Sequence, residues 1–106
     1  LLPTLKEAKR IGTWLEATVD GTVIAYGEIE LEGLLLGTEA DSIILALFKD
    51  GQVIKQFDTC QSSADQKTLI QEIKDSDEIP KGIYRVILMV NGQQAKQSPD
   101  VELRAP

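Results

Sequence analysis

"IPKGIYRVILMVNG", residues 79–92, decides how this chain folds. Tyr84, Val86, Leu88 and Val90 alternate along it, as the core-facing side of a half-buried strand does. The other set, Ile83, Arg85, Ile87 and Met89, belongs on the solvent side, yet only Arg85 is polar. Such a strand needs cover on its second face as well. One source is the chain itself: residues 58–74 folded as a helix, or the N-terminal "LLPTLKEAKRIG" laid across. The other is a second protein or domain, because contiguous exposed apolar surface marks interfaces.

The stretch ends on Asn91-Gly92, the third of three similar turns; Asp20-Gly21 and Asp50-Gly51 precede it. A two-residue type I′ turn needs positive φ at both central positions, which Asp or Asn followed by Gly adopts at low cost. These turns predict hairpins joining 13–19 to 22–32, 43–49 to 52–57, and 83–90 to 93–97. Glu28-Ile29-Glu30-Leu31-Glu32 alternates acid and aliphatic, the pattern of a strand with one wet face. Upstream, Ile24 and Tyr26 sit on the parity of the acids, so a bulge is expected at Gly27. Ser42 to Phe48 is nearly all apolar and reads as a central strand covered on both sides.

Residues 58–78 are ambiguous. Ser63, Gln66 and the spacing of Leu69, Ile70 and Ile73 allow a short helix within 62–74. A strand at 67–74 suits an all-β setting better, and leaves Asp75-Ser76-Asp77-Glu78 as the corner between two sheets. After Ser98-Pro99, Val101 and Leu103 resume alternation as an edge segment. The expected fold is all-β: an antiparallel β-sandwich of about seven strands. Residues 1–12 would be a lead-in and 13–106 a single domain.

"IPKGIYRV" resembles the corner that leads into the sixth strand of immunoglobulin-like and fibronectin type III domains. There a turn precedes a tyrosine whose hydroxyl bonds back to nearby backbone. The resemblance implies an immunoglobulin-like sandwich in which Ile79, Pro80, Gly82 and Tyr84 form the structural corner. "GIYRVILMVNG…SP" is similar to the last hairpin of bacterial immunoglobulin-like accessory domains, which implies a place in the cell envelope or outside the cell. The likeness covers residues 67–104 in motif and the rest in layout. The chain departs from the antibody branch in having no cysteine pair and in carrying Trp14 on its first strand.

Composition narrows the function classes. One domain fits the 106 residues, and 42% hydrophobic with 26% charged residues is globular composition. The formal charge is −6, against nucleic acid or anionic membrane as partner. Lone Cys60 allows no internal disulfide. No apolar run has the length of a membrane span, and Leu1-Leu2-Pro3 does not read as a signal peptide. The chain does not begin with Met, so it reads as a processed protein or a domain of a longer one.

Chemistry is sparse. Histidine is absent, which removes histidine-based triads, zinc sites and the commonest general base at neutral pH. Nothing near Cys60 would lower its pKa. Glu28, Glu30 and Glu32 read as a solvated strand face rather than a paired-carboxylate cleft. Asp75, Asp77 and Glu78 have oxygen ligands but not the spacing of a calcium loop. Trp14 and Tyr26 read as packing residues. No catalytic residue, cofactor or metal is expected.

The expected function is therefore a non-catalytic interaction or spacer module, an accessory domain acting through protein–protein contacts. Ile83, Ile87 and Met89 are its candidate partner face, toward another protein or a neighbouring domain. The alternative is a small β-sandwich proteinase inhibitor, with its inhibitory loop at 58–66 or 33–42.

Overall fold

All three Asx-Gly turns form in the computed structural model, which describes residues 1–106. Asp20 and Gly21 have φ of 50° and 80°, Asp50 and Gly51 of 50° and 78°, Asn91 and Gly92 of 52° and 79°. Each closes a hairpin. β1 (Thr4–Val19) pairs with β2 (Thr22–Leu34), β3 (Ile43–Lys49) with β4 (Gln52–Phe57), and β7 (Gly82–Val90) with β8 (Gln93–Gln94). Three further strands complete the chain: β5 (Gln61–Ser62), β6 (Thr68–Ile73) and β9 (Asp100–Leu103).

The strands form two antiparallel sheets. One has the order β1-β2-β6-β5; the other has β4-β3-β7-β8, with β9 also paired to β7. A single core joins them: Leu5, Ile29, Leu31, Leu69 and Ile73 from the first meet Leu45, Leu47, Val86 and Leu88 from the second. This is a sandwich layout. Nine strands are present rather than about seven, because β5 and β8 are two-residue pairings that turn chemistry does not announce.

Of the two readings of 62–74, the favoured strand forms and the short helix does not: Leu69, Gln71 and Ile73 face the core in alternation along β6. The only helical piece is a 3-10 turn at Asp75–Asp77 in the inter-sheet corner. Three other expectations need correction. Most of segment 1–12, expected as a lead-in, is the first half of β1, with Leu5 and Ala8 buried against Gly33 and Leu31 of β2. The irregularity expected at Gly27 lies on the opposite strand: Ile11 to Leu15 on β1 spans Glu28 to Tyr26 on β2, with Gly12 at φ 66°. Finally, β3 is central but covered on one side only, since Ile44 and Phe48 on its outer face are half-buried.

The corner at 79–84 is anchored twice. The Tyr84 hydroxyl donates to the Pro80 carbonyl oxygen at 2.5 Å. The same segment docks on the start of β2, where the Ala25 amide donates to Ile79 and the Lys81 amide to Val23. Ile79 and Tyr84 are both 1% exposed. Burial pushes the Tyr84 phenol above its usual pKa.

Candidate interaction surface

The two outer faces of the sandwich have opposite character. On the β1-β2-β6-β5 sheet, register sets Glu7 opposite Glu32, Lys9 opposite Glu30, Ile11 opposite Glu28, and Glu28 opposite Glu72. Lys9 bridges Glu32 at 3.2 Å and Glu30 at 3.6 Å. The hydrogen bond and charge of Lys9 hold the Glu32 carboxyl below the usual range. One lysine against five glutamates leaves this face acidic, a solvated surface as the alternation of β2 implies.

The outer face of the other sheet is apolar. Ile44 lies opposite Met89, Ala46 opposite Ile87, and Phe48 opposite both Arg85 and Val53. Side chains directly opposite on a sheet share a face, so these residues form one continuous strip over β4, β3 and β7. Ile83 is 56% exposed, Val53 47% and Met89 36%. Ile87 is half-buried among its neighbours. The sequence-predicted face of Ile83, Ile87 and Met89 is thus brought together and enlarged by β3 and β4. Neither intramolecular cover exists, because 68–73 and 4–19 are both strands of the opposite sheet. Ile44, Ala46 and Phe48 were missed because an all-apolar strand reads the same whether one or both of its faces are covered, and Val53 joins them only through the pairing of β4 with β3.

The remaining candidates have ordinary surroundings. Trp14 is buried, its indole N–H donating to the Glu28 carbonyl oxygen at 2.9 Å, and Tyr26 packs against the core. Cys60 donates to the Gln71 side-chain oxygen at 3.4 Å, and burial pushes its thiol up to about 12, so it is a poor nucleophile. At the corner, the Asp77 carboxylate accepts from the Lys74 amide at 2.8 Å and pairs with Lys55 at 3.5 Å. No three acidic, cysteine or histidine side chains converge as a metal site would require.

A polar cleft of about 490 Å³ opens beside β6, with Glu28, Asp58, Glu72 and Asp77 in its wall. Gln71 lies beneath it and is the buried polar side chain of the core. Its amide nitrogen donates to the Thr59 hydroxyl at 2.9 Å and the Glu72 carbonyl at 2.8 Å. Its oxygen accepts from Cys60, so every buried polar atom of Gln71 has a partner. Four carboxylates therefore stand in the cleft wall around the Gln71 amide.

The two loops that an inhibitor would use are tied to the body. Leu36 is fully buried and its amide donates to the Gln66 carbonyl, while Thr38 and Asp41 bond one another. Leu35 is 40% exposed with φ 57°. No protein-family model matches this chain, and no curated protein matches it.

Proposed function

We propose that this chain is an immunoglobulin-like β-sandwich serving as a non-catalytic interaction or spacer module. It acts by docking the outer face of its β4-β3-β7 sheet on another protein or a neighbouring domain. The fold reading is supported by strand order. In the immunoglobulin scheme, β1-β2-β6-β5 corresponds to strands A-B-E-D and β3-β7-β9 to C-F-G, with β4 as an added edge strand. The Tyr84–Pro80 bond at the start of β7 corresponds to the tyrosine corner of that scheme.

The observation that carries the function is the apolar strip itself. Ile83, Met89 and Val53 stay open to water on a face with few charges, while the opposite sheet surface is acidic. Large contiguous apolar surface of this kind is the usual mark of a contact site. Its chemistry is complementarity of shape and apolar area, with no bond made or broken.

A photo-crosslinking residue placed at Met89, in the full natural chain within its native source, tests this. Adducts from position 89 and none from Glu30 on the acidic face are expected. Adducts at neither position sink the reading. The Met89→Lys variant is expected to melt with the parent chain, whereas Leu88→Ala on the buried side costs ~2–5 kcal/mol. Cooperative loss of structure in Met89→Lys would show that the face is core.

The proteinase-inhibitor alternative rests on loop 33–42, which presents exposed Leu34 and Leu35 from a tied frame. It is the weaker reading, because φ of 57° at Leu35 departs from the extended backbone that pairs with an edge strand. Undiminished activity across a panel of proteases at excess inhibitor removes it.

A further inference from the structure

We propose that the occupant of the apolar face is a second copy of this chain, the two β4-β3-β7 sheets packed face to face about a two-fold axis. This rests on the reading of that face as a contact surface and names its partner.

Shape permits it. Ala46 lies in the middle strand between Ile87 and Gln56, a small residue in the centre of the strip that lets an opposing sheet come close. Sheets stacked in this way sit about 10 Å apart, which is the spacing inside the sandwich itself.

Charge selects the second copy over a partner of one sign. Charges of both signs stand along the β9 margin of this face. Arg85 stands opposite Asp100, Glu102 opposite Ile83, and Arg104 bonds Glu102 at 2.8 Å. Two positive and two negative groups balance along that margin, and Arg85 takes part in none of the chain's internal ion pairs. A strip carrying both signs is self-complementary under a two-fold, with Arg85 of one copy able to meet Asp100 or Glu102 of the other.

The net charge of −6 would ordinarily hold two copies apart. Here most of it is out of the way. The glutamates of the opposite sheet would occupy the two outermost surfaces of the pair, separated by two sandwich thicknesses of 20 Å. That is several times the screening length of about 8 Å at physiological salt. Stacking through the acidic faces would instead bring glutamate rows together.

Sedimentation velocity on the purified 106-residue chain, across a range of micromolar concentrations at low and high salt, tests the proposal. A concentration-dependent shift from 11.6 kDa to twice that mass is expected, little affected by salt. Ile87→Lys should weaken the association about tenfold or more, with unchanged melting. Ile83→Lys, at the more exposed position, serves in its place if Ile87→Lys fails to fold. A chain that stays monomeric at every concentration overturns the second-copy proposal, as does a dimer indifferent to both lysine variants. A monomer whose position 89 still crosslinks to a different protein keeps the contact reading while removing self-association. A monomer without crosslinks removes both.

Discussion

The ring of Trp14 occupies the space where a β-carbon on Gly27 would be. A β-carbon built there falls 2.6 Å from Trp14 Cδ2 and 2.7 Å from Cε2. The irregular stretch of β1 between Ile11 and Leu15 aims the indole across the partner strand, and the missing side chain makes room for it. Gly27→Ala should therefore cost ~1–3 kcal/mol by overpacking. Trp14→Ala should cost ~3–5 kcal/mol by leaving a cavity. In the double variant the methyl has space, so the combined loss should be smaller than the sum of the two. Urea unfolding of the four chains measures this coupling, and strict additivity would show that the ring and the glycine do not depend on each other.

Tyr84→Phe keeps the buried ring and removes only the hydroxyl bonded to Pro80. The expected loss is about 1 kcal/mol, with more if the Pro80 carbonyl finds no other donor. For a domain of this size that is a fall of roughly 4–8 °C in Tm. An unchanged Tm would mean that the docking of Ile79 and Lys81 on β2 holds the corner alone.

The thiol of Cys60, raised to about 12 by burial and bonded to Gln71, predicts slow alkylation. From an ordinary value of 9.0, the thiolate population in mildly alkaline buffer falls about a thousandfold. Labelling by iodoacetamide should be slow in the folded chain and rise sharply in urea. Rapid labelling without denaturant would show that the loop carrying Cys60 opens readily.

Asn91 does more than bend the last hairpin. Its side chain accepts from the Ser42 amide at 3.0 Å and donates to the Asp41 carboxylate at 2.9 Å. The bonds from Asn91 and from Thr38 hold the Asp41 carboxyl below its usual 3.8. A depressed folded-state pKa contributes stability that is present above 3.8 and lost as the pH falls through the lower folded value. The Tm gap between the parent chain and Asp41→Ala should thus be widest near neutrality and close in acid. Asn91→Asp keeps a residue suited to positive φ but sets two carboxylates together, so its Tm should fall most at neutral pH. A gap that does not change with pH would mean that Asp41 contributes nothing to folding through its charge.

Much of this architecture is legible in the sequence. Three Asx-Gly pairs announced three hairpins, because positive φ at two successive residues is a requirement set within the turn itself. Tyr84, Val86, Leu88 and Val90 declared a core-facing row through a period of two, which is likewise local. The bond from Tyr84 to Pro80 came from the resemblance of "IPKGIYRV" to a known corner, and it too is local, because the two residues are four apart.

Tertiary structure decided what depended on distant pairing. Leu5 and Ala8 join β1 only because β2 continues to Leu34 and offers a partner. The bulge expected at Gly27 moved to β1, since a register shift belongs to two strands and either can absorb it. Residues 62–74 satisfy both helical spacing and alternation, and the free edge of β2 at 27–32 settled them as a strand. The candidate surface was half legible: Ile83, Ile87 and Met89 were visible as surplus apolar residues, whereas Ile44, Phe48 and Val53 joined them only through sheet register. Apart from Arg85 both rows of β7 are apolar, so hydrophobicity ranked them only weakly. Which became core was decided by where the β1-β2-β6-β5 sheet lies, because burial is a property of what stands opposite a residue.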